Sequence, residues 1–242
     1  MTVVATVVAL DTATRATVAG LLRGGEPPLE LEARDDPPPG ARPAHATRLL
    51  GLVAEVLERA QIGWAQVDRI AVGVGPGTFT GLRIGIASAR ALARARGIPL
   101  VGVSTLRSVA CNATGRDDGA PVLAVLDARR GEVFAAGWRR PELTGELPLV
   151  PARAYSPPDL AKTIEQLGAG TLAIGEGAVE FRDVLERAGA LIPDDAAAVH
   201  RVSAINHCRL AQSMPASPPD QVQPEYLRLP DAEINRRAAG AR

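Results

Sequence analysis

Aromatic residues are scarce: three Phe, two Trp and two Tyr make up 3% of the 242 residues, although apolar residues reach 46%. A sizeable core is available, but it has to be packed from Ala, Val, Leu and Ile. Cysteine is scarcer still. Cys111 and Cys208 stand far apart and form no CxxC pair, which excludes a disulfide framework or a cysteine metal cluster and suits a reducing compartment. Lys162 is the only lysine, so the basic character is carried by arginine. Neither sign of charge dominates: 27 basic and 27 acidic residues give a net charge of +0, which argues against strong autonomous binding to nucleic acid. No run approaches the roughly 20 apolar residues of a membrane span. The first residues, MTVVATVVALDTATR, lack a basic leader and meet Asp11 early, so they read as a core strand and not as a signal peptide. No HExxH is present, and the metallopeptidase reading has no ligand set to stand on.

What is present is centred on Gly73 to Arg90, GVGPGTFTGLRIGIASAR. An apolar strand, Ile70 to Val74, leads into Gly75-Pro76-Gly77, then Thr78-Phe79-Thr80-Gly81, then a helix of small and branched residues to about Arg96. Gly75, Gly77 and Gly81 allow backbone that a Cβ resists, and Thr78 or Thr80 is placed to cap the helix. A glycine turn that opens a helix can present backbone N–H groups to an anion. The alternative is a strand-to-helix turn with no ligand.

Upstream, Val3–Leu10, Ala16–Leu22 and Leu29–Ala33 read as an antiparallel meander with turns at 11–14 and 24–27. Asp35 to Pro43, DDPPPGARP, is a proline-rich surface loop open to disorder. From His45 to Ala60 the apolar residues Leu49, Leu52, Val53, Val56 and Leu57 recur at helical spacing. Leu100–Val103 is a further strand, and Ser104 caps a helix from Leu106 to Cys111. Strands alternating with helices imply crossover connections in an α/β layer. The pattern then restarts. Pro121–Asp127, PVLAVLD, resembles Val4–Asp11, VATVVALD; each ends in Leu-Asp and returns as a strand, Val133–Trp138 in the second case. Two related lobes are expected, over residues 1–103 and 104–230, followed by a flexible tail at 231–242. Within the second lobe Pro158–Leu167, Phe181–Ala188 and Ser203–Met214 read as helices and Thr171–Gly175 as a strand.

Taken together, these features resemble the TsaB (YeaZ) family. The matching residues are Leu10-Asp11-Thr12, His45, Gly75 through Gly85, Gly102-Val103-Ser104-Thr105-Leu106, Asp127 through Val133, and Pro224-Glu225-Tyr226-Leu227-Arg228. The resemblance covers most of the chain and is weakest between 141 and 219. It implies an α/β ASKHA (actin-like, sugar-kinase) fold: two related lobes with mixed sheets flanked by helices. It also implies a cytoplasmic, non-catalytic subunit that binds and stabilises a TsaD-type threonylcarbamoyltransferase acting at N6 of adenosine 37 in tRNA. A TsaE-type ATPase joins through the complex, a homodimer can use the same helices, and tRNA is met only indirectly. The catalytic sister binds a metal through two histidines four residues apart; Thr105 and Val109 stand there in this chain, and a hydroxyl and an isopropyl cannot replace two imidazoles. No metal is therefore expected, and no cofactor beyond weak ATP or ADP with Mg²⁺ at the complex. The alternative is a stand-alone ATPase or phosphotransferase of the same fold.

Two residue sets follow. Asp11, Thr12, Gly75, Gly77, Thr78, Thr80, Gly81 and Asp127 form the candidate ligand or phosphate loop, since carboxylates at strand ends can orient magnesium or water; as turn formers the two aspartates need no ligand. His45, Leu49, Leu52, Val56, Leu82, Arg83, Ile86, Ala89 and Arg90 form the expected partner surface, on two helices that also cover the sheet. Arg129 and Arg130 read as an exposed turn. His200, His207 and Cys208 lack the further ligands that a metal site needs.

Overall fold

A computed structural model describes residues 5–38, 40–113, 119–139 and 147–228. β1, Val7–Asp11, is buried at every position, as a strand covered on both faces should be. It pairs antiparallel with β2, Thr17–Arg23, and parallel with β4, Arg69–Gly75. β3, Leu29–Asp35, and β5, Leu100–Ser104, complete a five-stranded sheet of order β3-β2-β1-β4-β5. The second sheet repeats the scheme. β6, Val122–Arg129, pairs antiparallel with β7, Glu132–Trp138, and parallel with β9, Leu172–Ile174, while β8, Val150–Tyr155, forms the far edge in the order β8-β7-β6-β9. The expected duplication around the two Leu-Asp turns is thus a duplication of topology.

Helices α1, His45–Arg59, and α2, Phe79–Arg96, lie against one another and seal the outer face of the first sheet. α2 stops at Gly97, which takes the left-handed conformation at φ 66°. On the outer face of the second sheet lie α4, Pro157–Leu167, α5, Glu176–Glu180, and α6, Arg182–Arg187. Between the sheets a shared core holds α3, Thr105–Ala110, and α7, Ala204–Ser213. The Ser104 cap on α3 is present, its Oγ accepting from the Arg107 N–H at 3.4 Å. The cap expected on α2 is not: Thr78 occupies the N-cap position without a side-chain hydrogen bond to the helix.

The C-terminal stretch departs from the expected division at 103/104. α7 returns to the first sheet. Its approach is close because β2 carries Gly20, where a Cβ would fall 2.8 Å from Ala204 Cβ. Its two ends are held by the first sheet: Glu32 Oε2 on β3 accepts from Ala204 N–H at 2.8 Å, and Arg69 on β4 donates to the Ala211 and Met214 carbonyls at 3.0 and 2.8 Å. Those charges match the helix dipole at each end. Residues 217–228 then run as a strap over α2. Ser217 N–H donates to Leu100 O, Arg90 donates to Val222 O, Arg94 pairs with Asp220, and Glu225 N–H donates to Val74 O. The proline-rich loop is pinned as well, because Arg15 donates to the carbonyls of Pro38 and Ala41. The tail expected at 231–242 lies outside the described residues.

Candidate functional site

β1 delivers Asp11 to the meeting point of the two sheets, and the chain saturates it there. Its Oδ1 accepts from Ala13 N–H at 2.7 Å, an Asx turn of the kind aspartate favours. Its Oδ2 accepts from Thr105 Oγ1 at 2.8 Å and lies 3.1 Å from His207 Nε2. Asp11, Thr105 and His207 are each 0% exposed. The turn that follows, Thr12-Ala13, fits into notches left by the glycine motif. A Cβ at Gly73 would lie 1.7 Å from Asp11 Oδ2, at Gly77 2.3 Å from Ala13 O, at Gly81 2.0 Å from Thr12 O, and at Gly85 2.4 Å from Thr12 Oγ1. Thr78 N–H donates to Ala13 O at 2.8 Å, and Thr12 Oγ1 donates to Gly81 O at 2.7 Å.

This corrects the phosphate-cradle expectation. The N–H of Thr78, at the head of α2, is bonded to the chain's own carbonyl, and the space an anion would need is filled by the 11–13 turn. The glycines are required for close packing between two backbone segments. Gly75, at φ +114°, is additionally roofed by the strap, with Glu225 O 3.0 Å from where its Cβ would be. Thr80 is exposed and lies outside this cluster.

Asp127 repeats the local geometry of Asp11 in the second lobe. Its Oδ1 accepts from Arg129 N–H at 2.6 Å, and its Oδ2 is 2.9 Å from the Arg129 guanidinium. The close glycine contact is repeated too: a Cβ at Gly175 would lie 2.1 Å from Val125 O. α5 begins one residue later with Glu176, which sequence reasoning passed over. Its signal is the Gly-Glu-Gly that follows a strand. Glu176 lines a cleft of about 280 Å³ between the lobes with Thr14, Arg15, Arg34, His200 and Arg201. Burial, and then the nearby Asp127 charge, push its carboxyl up to about 7.

The three histidines are all tied into the fold. His200 Nδ1 accepts from Gly175 N–H at 3.1 Å. His45 is 5% exposed, with Nδ1 2.8 Å from Thr17 Oγ1, and burial holds its pKa below the ordinary value. Cys208 is buried with Sγ toward Val7 O, and burial raises its thiol pKa strongly. Among the described residues no three His, Cys, Asp or Glu side chains are grouped to hold a metal, and none of the helices is long and apolar enough to cross a membrane.

The expected partner surface is also corrected. Leu49, Leu52, Val56, Leu82, Ile86 and Ala89 are at most 3% exposed and pack into the protein's own core, and His45 is buried with them. The periodicity was that of a sheet-covering face. Arg90 is engaged by the strap. Arg83 alone of that set is exposed: its guanidinium lies 3.8 Å over the Phe79 ring and donates to Tyr226 Oη at 3.2 Å, while Phe79 and Tyr226 stack at 5.3 Å. The solvent face of the helix pair carries Leu50, Gly51 and Ala54 on α1, with Ala87 and Ala91 on α2 and the half-buried Ile84 beside them.

Two sheets of matching topology, each opening with a strand that carries an Asx-turn aspartate at or near its end, define a protein of the ASKHA class. A family model described as "TsaD: tRNA N6-adenosine threonylcarbamoyltransferase" matches residues 37–161. The Escherichia coli protein named tRNA threonylcarbamoyladenosine biosynthesis protein TsaB is 32% identical over 191 residues, covering 78% of each chain. Its namesake in Bacillus subtilis is 28% identical over 193 residues, covering 78% of this chain and 82% of the relative. The solved structure of YeaZ from Pseudomonas aeruginosa superposes with a TM-score of 0.75 at 28% identity, over 92% of this chain and all of that one. The chain belongs to the TsaB (YeaZ) family.

Proposed function

We propose that this protein serves tRNA threonylcarbamoyladenosine biosynthesis as a non-catalytic subunit that binds and stabilises a TsaD-type catalytic partner. One observation carries the reading: the glycine motif and Asp11, the parts of the chain suited to hold a reacting anion or cation, are filled and saturated by the chain itself. Thr105 gives its hydroxyl to Asp11, and Val109 is a fully buried core residue. Neither offers a ligand atom to a substrate. The names of the relatives support the pathway.

The partner docks on the solvent face of α1 and α2, where Leu50, Gly51, Ala54, Ile84, Ala87 and Ala91 let a second helix pair approach closely. Roughly 1,600 Å² would be buried in an interface of standard size. A second copy of this chain occupies the same face when the partner is absent, and a TsaE-type ATPase joins the assembled complex. Contact with tRNA is made through the catalytic subunit, in the cytoplasm. The test is reconstitution. Purified chain alone should leave tRNA unmodified, and adding it to a TsaD-type subunit, with the ATPase and substrates present, should restore modification and give a co-eluting complex. Modification by the chain alone, or tight ATP-Mg²⁺ binding to it by calorimetry, would overturn the reading in favour of a stand-alone enzyme.

A further inference from the structure

Asp11 lies between two histidines held in different states. His45 is on its α1 side: Nδ1 meets a hydroxyl, Nε2 meets no hydrogen-bond partner, and burial keeps the ring neutral. His207 is on its α7 side, and its surroundings can be read atom by atom. Nδ1 is 2.9 Å from the Ser203 carbonyl, which can only accept. It is also 2.9 Å from Ser108 Oγ, whose own proton is directed to the same carbonyl at 3.0 Å. Nδ1 must therefore carry a proton. Nε2 is 3.1 Å from Asp11 Oδ2, outside in-line hydrogen-bond geometry, and meets no other polar partner. That carboxyl already accepts from Ala13 N–H at Oδ1 and from Thr105 Oγ1 at Oδ2, one bond to each oxygen, so it faces Nε2 as an acceptor. A bare Nε2 lone pair would be repelled by it. Both ring nitrogens are protonated.

We propose that His207 is carried as an imidazolium inside the fold and acts as an internal cation, clamping Asp11 and through it the 11–13 turn on which α2 is seated, so that losing this one proton slackens the α2 face. The other charges around the ring agree. Glu32, across the α7 N-terminus on β3, adds to the field that favours the cation. From α3 the neutral Thr105 and Ser108 meet Asp11 and the ring, and the same helix carries Arg107. Arg209 on α7 is spent on Glu30 at 2.8 Å, and Arg69 on carbonyls. Burial is the largest single influence and works against the charge, but Asp11, the Ser203 carbonyl and Glu32 together outweigh it, and the pKa stands above that of a free histidine. With a raised pKa, the stabilisation is complete below the unfolded value near 6.5 and is lost as pH rises through the folded one.

Three imidazoles make the test direct. Ring-nitrogen NMR on the full chain at about pH 7.5 should show the doubly protonated pattern for His207 and a neutral ring for His45. Backbone protection factors at residues 11–13 and 78–85 should then fall about tenfold as His207 titrates at higher pH. A neutral His207 at pH 7.5 overturns the proposal, and so do protection factors that stay level through its titration. His207→Gln should show the slack state at all pH values; protection equal to wild type would also overturn it. If that variant does not fold, the wild-type titration decides alone. The consequence for docking rests on the proposed function: partner capture lost above the titration but kept below it supports both, whereas no capture at either pH speaks against that function and leaves the clamp standing on the NMR.

Discussion

Thr12 and Gly81 are mutually locked: the Thr12 hydroxyl donates to the Gly81 carbonyl at 2.7 Å, and a Cβ on Gly81 would fall 2.0 Å from the Thr12 carbonyl oxygen. Backbone cannot yield as a flexible side-chain end can. Gly81→Ala should therefore force α2 away from the β1–β2 turn and cost about 1–3 kcal/mol or more in urea denaturation. Gly51 supplies the control. It is an exposed, mid-helix glycine on α1 with nothing within 4 Å of its would-be Cβ, so Gly51→Ala should stabilise the protein by about 0.5–1 kcal/mol.

The two faces of the helix pair should separate folding from docking. Leu82, at 1% exposure, has no room for a charge, and Leu82→Glu should unfold the protein or lower its melting temperature sharply. Ala87, one helical turn and a half further on, faces solvent. Ala87→Glu should leave the melting temperature within a few degrees of wild type while weakening capture of the catalytic partner at least tenfold. Capture by the folded Ala87→Glu variant at wild-type strength would mean that docking uses another face.

The elements with strong periodicity were legible in the sequence. α1, α2, α7 and the strands β1, β2, β4 and β6 fall within a few residues of where apolar spacing puts them, because each buries a full face. β8 and α5 were not: β8 is an edge strand interrupted by Pro151, and α5 is five residues long, preceded by Gly175 and carrying Gly177 within it. The glycine motif was found but misread. Sequence shows that Gly77 and Gly81 need close approach, not what approaches; a phosphate and a neighbouring turn make the same demand. The helix faces were misassigned for a similar reason, since one apolar stripe serves a sheet or a partner equally well. His207, 196 positions from Asp11 in the chain, becomes visible only when α7 folds back onto the first sheet.

Glu176 gives a pH dependence of defined sign. Its carboxyl is pushed up to about 7 by burial and by Asp127, so between the ordinary glutamate value and 7 the folded state binds more protons than the unfolded one. Stability from this group is present at low pH and lost as pH rises through 7. Glu176→Gln removes the ionisation while keeping the shape. It should be near neutral at about pH 4 and stabilising by on the order of 2 kcal/mol at about pH 8 in denaturant titrations. A wild-type carboxyl already ionised at pH 5 by NMR would contradict the environment described for it.

Glu32 is a cap supplied from a distance. One carboxylate oxygen on β3 accepts from Ser203 Oγ at 3.0 Å and Ala204 N–H at 2.8 Å, across 171 and 172 residues of sequence. It thereby takes the role a local N-cap residue usually fills, since the Ser203 side chain makes no cap bond to the helix. Two effects are combined, an accepted hydrogen bond and a negative charge at the positive end of the helix dipole. Glu32→Gln keeps an acceptor and loses the charge, whereas Glu32→Ala loses both. The alanine variant should cost about 1–2 kcal/mol and the glutamine variant roughly half of that. Reduced amide protection should begin at the N-terminal turn of α7 and spread along it. The same substitutions should lower the pH at which His207 releases its proton, because Glu32 is one of the charges that favour the imidazolium. An unchanged His207 titration in a folded Glu32→Ala protein would confine the role of Glu32 to capping.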